Sequence, residues 1–132
     1  MNLSDPIGDM LTRVRNANLV RQEVVHVPYS RLKDGLARIL KREGFIQDYT
    51  TEGGDHGKVL RLYLKFQPGR ERVIRGLRRI SKPGLRRYVR ATALRPIKSG
   101  TGIAIVSTSR GLLTDAEARR QHLGGEWLCT IW

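Results

Sequence analysis

Four consecutive apolar residues, Ile103-Ala104-Ile105-Val106, stand between Gly100-Thr101-Gly102 and Ser107-Thr108-Ser109-Arg110-Gly111. The run is short, rich in β-branched residues and bounded by turn residues, so it predicts a buried strand. Downstream, Thr114 with Glu117 three positions on forms a capping box: the Thr hydroxyl accepts from the Glu117 amide, and the Glu carboxylate accepts from the Thr114 amide. A short helix therefore starts there, and Gly124 is expected to supply the left-handed residue that stops it. The apolar end from Trp127 to Trp132 closes as a second strand. The predicted order is buried strand, hydroxyl-rich loop, short helix, closing strand.

Ser107, Thr108, Ser109, Arg110 and Gly111 put three hydroxyls, a guanidinium and a glycine on five adjacent positions. Hydroxyls both donate and accept, so such a loop can meet phosphates, ribose hydroxyls and base edges alike. The same residue types also fill ordinary turns for purely local reasons. Charge bears on the choice. With 25 basic residues against 12 acidic in 132, the formal net charge is +13, a self-repulsion best explained by a polyanionic partner. The excess is local: residues 70–98 hold eleven basic residues and one acid, and the remainder fourteen against eleven.

In chain order, Asp5 followed by Pro6 is a helix start, and Ile7, Met10, Leu11, Val14 and Ala17 then share one helical face. Thr12, Arg13, Arg15 and Asn16 point elsewhere, as a solvated face or as contacts. Residues 23–27 form a short strand ended by Pro28. Ser30 caps a second helix with Leu32, Leu36, Ile39 and Leu40 as its buried stripe and Gly44 at its end. Arg31, Lys33, Arg38, Lys41 and Arg42 cover the rest of it. Residues 45–50 and 59–66 read as a hairpin turning through residues 53–57, because Leu60, Leu62, Leu64 and Phe66 alternate with polar neighbours. Gln67-Pro68-Gly69 marks a boundary. Beyond it, Val73, Ile74, Leu77 and Ile80 fit a helix face as well as a strand. Lys82-Pro83-Gly84 is a turn, and residues 86–90 a strand centred on Tyr88, whose ring suits either the core or a stacking platform. The fold class is α+β in two small lobes: residues 1–68, α-β-α-β-β, and residues 69–132, mostly β with one short helix and strongly basic.

Several functions are set aside. One cysteine, Cys129, allows no internal disulfide and suits a reducing compartment. No apolar run approaches the roughly 20 residues that span a bilayer, and Asp5, Pro6 and Asp9 interrupt any secretory signal pattern. His26, His56 and His122 lack zinc-site spacing, so no metal or other cofactor is expected. Gly100-Thr101-Gly102 precedes a strand instead of following one and lacks a third glycine. No Walker or nucleophile-elbow motif is present. Asp115 and Glu117 lie in a helix's first turn, where capping amides and the dipole keep carboxylates ionised. No enzyme and no small-molecule substrate is expected.

The residues Ser107 to Gly111, then Leu113-Thr114-Asp115, Glu117-Ala118-Arg119-Arg120 and Gly124-Gly125-Glu126, resemble the C-terminal signature of the small-subunit ribosomal protein S-eight family, bacterial type. Asp5 to Ala17 resembles that family's opening, and Arg79-Ile80-Ser81-Lys82-Pro83-Gly84 its middle, so the likeness runs the whole length in order. It implies a strand, not a helix, across residues 72–80. It also implies a structural ribosomal protein of the cytoplasm that binds the central domain of small-subunit ribosomal RNA, supports assembly and neighbours other small-subunit proteins. Bacterial members also repress a ribosomal-protein messenger. RNA-binding residues implied or suggested are Arg13, Asn16, Arg31, Lys82, Pro83, Arg86, Arg87, Tyr88, the loop 107–111, Gly124, Gly125 and Glu126. The double glycine suits close backbone approach. Glu126, unsuited to phosphate, is expected to orient a neighbouring Arg or hydroxyl or to accept from a base amino group.

Overall fold

The computed structural model describes residues 5–53 and 57–132. Its backbone groups into two compact units, Asp9–Arg75 and the described residues up to Gly8 together with Gly76–Trp132. Composition had suggested a break after residue 68. The fold is α+β, with three helices and predominantly antiparallel strands. No helix among the described residues is long and apolar enough to cross a membrane.

Helix α1 (Pro6–Leu19) starts where Asp5 accepts the Gly8 amide at 3.1 Å. In the Asp9–Arg75 unit its residues Met10, Leu11, Val14 and Ala17 are all buried, the spacing of one helical face. The sheet here is β1 (Val24–Pro28), β3 (Val59–Leu64) and β2 (Ile46–Glu52), antiparallel with β3 in the middle. Leu60, Leu62 and Leu64 point into the core beside Val25 and Val27. Helix α2 (Arg31–Arg42) is capped by the Ser30 hydroxyl, which accepts from the Lys33 amide, and Gly44 follows its end in the left-handed conformation. Its buried stripe differs from expectation. Leu32 is 41% exposed, whereas Lys33 is only 5% exposed. Burial pulls the Lys33 ammonium below its usual pKa, while the charge of Asp9 opposes that shift. The expected turn at Gly54, Asp55 and His56 lies outside the described residues.

The ambiguous stretch near residues 72–80 holds no helix, but the single strand expected there is two short ones: β4 (Phe66–Gln67) pairs with β5 (Glu71–Arg72), and β6 (Leu77–Arg79) follows after residues 73–76, which belong to no strand. Ile74 and Leu77 are buried, and Asn18 Nδ2 donates to the Ile74 carbonyl at 2.8 Å.

In the second unit, strand β10 (Gly125–Ile131) runs between β8 (Ile103–Thr108) on one edge and β6 with β7 (Tyr88–Val89) on the other. Ala104, Ile105, Val106, Leu128, Cys129 and Ile131 make its core. Burial pushes the Cys129 thiol up to about 12, against a small opposing pull from Arg79. Three expectations need correction. The hydroxyl loop does not lead straight to a helix, because β9 (Gly111–Thr114) returns along β8 as a hairpin, pairing Ile105 with Thr114 and Thr108 with Gly111. Helix α3 (Asp115–Gln121) has its capping box, but His122, not Gly124, takes the left-handed position. The His122 amide reaches the Ala118 and Arg119 carbonyls, which ends the helix two residues early. The strand expected over residues 86–90 is only Tyr88–Val89. Gly76 is held to Trp132 by two backbone hydrogen bonds of 3.0 Å, with the indole where a β-carbon would project.

Asp115 is buried, accepting from the Ala104 amide at 3.0 Å and Arg119 Nη1 at 2.8 Å, so this carboxylate joins α3 to β8. Leu62 is fully buried on the central strand of its sheet. Replacing it by Ala should lower stability to urea by about 2–5 kcal/mol. A loss under 1 kcal/mol would mean that the β3 face closes over the gap unaided.

Candidate nucleic-acid interface

The site is built outward from β10. Its register sets Glu126 opposite Ser107 on β8 and opposite Tyr88 on β7. Directly opposed residues of antiparallel strands share a face, so Tyr88, Glu126 and Ser107 form one row across three strands. Tyr88 is 72% exposed. Its ring is therefore a surface feature and not part of the core. Two clefts border it. One of about 550 Å³ includes Arg78, Lys82, Leu85, Arg87 and Trp127 in its walls. The other, about 720 Å³, includes Arg90, Thr92, Arg119, His122 and Gly124.

The basic turn beside this row is held from below by one buried hydroxyl. Ser81 Oγ donates to Glu126 Oε2 at 2.5 Å and accepts from the Arg87 amide at 3.0 Å. Lys82 and Leu85 exchange backbone hydrogen bonds of 3.0 and 2.9 Å around Pro83-Gly84. Lys82, Arg86, Arg87 and Tyr88 are all exposed. Arg86 Nη1 returns to Glu126 Oε2 at 3.0 Å. Burial alone would raise the Glu126 pKa, but the hydrogen bonds from Ser81 and Arg86 and the charges of Arg86 and Arg79 outweigh it, leaving the carboxyl below the usual value. Glu126 thus orients an Arg and a hydroxyl.

Beneath the turn, Arg79 is gripped on two sides: its Nη2 and Nε reach the Asp5 carboxylate at 3.2 and 3.3 Å, and its Nη1 the Leu128 carbonyl at 2.6 Å. Arg79 is structural here. The double glycine also has an internal reason. A β-carbon on Gly124 would collide with the Val89 carbonyl, and one on Gly125 with that of Ser107. These residues let neighbouring backbones approach β10, whatever else they admit.

On the hairpin, Thr108 is occupied locally, donating to the Gly111 carbonyl at 2.8 Å and accepting from the Arg110 amide at 3.1 Å. Ser109 and Arg110 form the exposed tip, with Arg110 Nη1 3.4 Å from Gln121 Oε1. Ser107 is half-buried within the row. Arg13, Asn16 and Arg31 belong to the Asp9–Arg75 unit. Asn16 and Arg31 are exposed there, while Arg13 is engaged by Asp9 at 3.0 Å and the His26 carbonyl at 3.2 Å. Sequence pattern alone does not mark Ser81, Arg119 or Trp127 as a neighbour of this row. Ser81 sits beside the basic turn in sequence, but only its pairing with Glu126, 45 positions away, reveals its part.

The family model for ribosomal protein S8 matches residues 5–132. The chain belongs to the ribosomal protein S8 family. Proteins called small ribosomal subunit protein uS8 are 57% identical in Shouchella clausii and 54% identical in Geobacillus kaustophilus and Lacticaseibacillus casei. Each match covers all 132 residues and the whole relative. Among the described residues, no group of three or more His, Cys, Asp or Glu could hold a metal ion. The row and the turn beside it bring hydrogen-bond donors, acceptors and the exposed Tyr88 ring together on one sheet.

The lowered carboxyl pKa gives Glu126 a pH signature. Its contribution to stability is fully present above the ordinary glutamate value of 4.5 and is lost as pH falls through the lower folded-state value. Urea titrations of wild type and Glu126→Gln should therefore converge below pH 4.5. A stability difference unchanged across that range would place the carboxylate outside the folding equilibrium.

Proposed function

We propose that this chain is a structural constituent of the small ribosomal subunit, binding an irregular helical segment in the central domain of its ribosomal RNA and supporting assembly. The carrying observation is the row of Tyr88, Glu126 and Ser107 beside the exposed cations Lys82, Arg86 and Arg87. Side chains cannot read the deep groove of an RNA helix, so specificity comes from irregular shape, unstacked bases and 2′-hydroxyls. Tyr88 stands with open space around it for a base or sugar face. Ser107 and Ser109 offer short hydroxyls on a paired hairpin, which lose little freedom on binding. Arg87 and Lys82 supply phosphate contacts, the larger share of affinity. Glu126 acts indirectly, holding Ser81 and Arg86 so that the Arg87 backbone keeps its place.

In this reading the stretch Gly76–Trp132, and not the whole of residues 69–132, carries the principal RNA-binding surface. Arg13, Asn16 and Arg31 add contacts from the other unit. The chain works in the cytoplasm as part of the ribosome, beside other small-subunit proteins. A similar RNA structure in a ribosomal-protein messenger would occupy the same row, so translational repression is a second role of one site.

A binding titration at fixed salt, comparing the central-domain segment with a scrambled hairpin of equal length, tests the reading. Preference for the first supports it; equal, steeply salt-dependent binding reduces the protein to a general polyanion binder. Ser109→Ala should weaken the specific complex by about 1–3 kcal/mol, and an unchanged dissociation constant removes the hairpin tip from the site. Arg87→Ala should flatten the dependence of affinity on salt by about one unit of logarithmic slope. Arg86→Ala should flatten it less, since Glu126 already partly neutralises that charge. Identical slopes for Arg87→Ala and wild type would discount its phosphate contact.

A further inference from the structure

The Asp9–Arg75 unit contains an arginine cluster that the row on β10 does not use. Arg21, Arg72 and Arg75, with Glu71, line a cleft of about 400 Å³. Arg13, Arg61 and Arg70 of this unit have carboxylate partners in Asp9, Glu52 and Glu23. Among the described residues, no acidic group forms an ion pair with Arg21, Arg72 or Arg75. Moreover, Arg72 Nε is buried without a hydrogen-bond partner, so part of that guanidinium is desolvated with no compensating protein acceptor.

The cleft is braced. Arg21 and Arg70 both adopt left-handed backbone conformations, with φ of 58° and 61°, which are strained for residues other than glycine. Each holds the other: Arg21 Nε donates to the Arg70 carbonyl at 3.0 Å, and Arg70 Nη2 donates to the Arg21 carbonyl at 2.9 Å. The Arg70 guanidinium also lies 5.8 Å from the centre of the Phe66 ring. Phe66 in turn pairs with Arg72 on β5. The Arg21 guanidinium is thereby fixed at the cleft through its Nε.

We propose that this cleft seats a ribose-phosphate of the RNA backbone, a second contact distinct in residues from the one around Tyr88; it rests on the RNA-binding reading above. Guanidinium forks match phosphate oxygens. Glu71 narrows the ligand further, because a carboxylate only accepts hydrogen bonds. A bare anion beside it would be repelled, whereas a ribose 2′-hydroxyl next to a phosphate can donate to it. A phosphodiester with an adjacent hydroxyl satisfies both groups.

The test uses the full chain and a transcript of the whole central domain, with salt-dependent titration and hydroxyl-radical protection of the RNA backbone. Arg75→Gln, on the exposed rim, and Arg72→Gln/Arg75→Gln should weaken binding roughly ten-fold and flatten the salt slope by about one for each lost phosphate contact. They should also remove protection from a patch that Arg87→Ala leaves protected. Thermal unfolding checks that each variant is folded, and Arg75→Gln carries the test if the double variant is not. Wild-type slope and protection in Arg75→Gln, with Arg87→Ala weakened, would overturn the second contact while leaving the RNA reading intact. Failure of wild type to prefer the central domain would overturn both. Glu71→Ala should weaken binding as well; tighter binding would show simple repulsion and overturn the ribose assignment.

Discussion

Strand β10 has neighbours along both edges, β8 on one and β6 with β7 on the other. A strand so enclosed cannot slip by one residue without turning its buried side chains outward. Leu128, Cys129 and Ile131 are buried at its far end, and this anchoring transmits register to Gly125 and Glu126. The Ser81–Glu126 hydrogen bond then carries that register into the basic turn. Position at the candidate interface is therefore inherited from packing in the core, through a single enclosed strand and one buried hydroxyl.

Charge is organised on the same principle. Arg79 and Arg119 are tied to Asp5 and Asp115 and serve the fold. Lys82 and Arg87 project from a braced backbone into solvent. Arg21, Arg72 and Arg75 make a third kind, gathered around the Glu71 carboxylate with no ion pair among the described residues. Net charge alone distinguishes none of these. A basic protein is described better by which cations have carboxylates than by how many cations it has.

Much of this was readable in the chain. The α1 face, the β3 alternation, the Ser30 cap and the Thr114–Glu117 box depend on short-range spacing, and each is found, the alternation as far as Leu64 and not through Phe66, which belongs to β4. The departures involve partners distant in sequence or a side chain with two characters. Gly111 to Thr114 is too short to display a period, and only pairing with β8 makes it a strand. Lys33 reads as surface because its charge dominates its four methylenes. Gly124 offered a plausible helix stop, yet its lack of a β-carbon serves the Val89 carbonyl, while His122 turns the chain. At the interface, the motifs pointed to residue groups without showing that Tyr88, Glu126 and Ser107 share a row. The Arg21 cleft was invisible, since it joins residues some fifty positions apart.

Cys129 gives the molecule a property unrelated to its surface. The thiol is fully buried and held far from its reactive thiolate form. An alkylating reagent can reach it only when the sheet around β10 separates. Because the chain has one cysteine, the rate of its modification is a clock for opening of the very strand that aligns the interface, with no added label and no second thiol to confuse the reading.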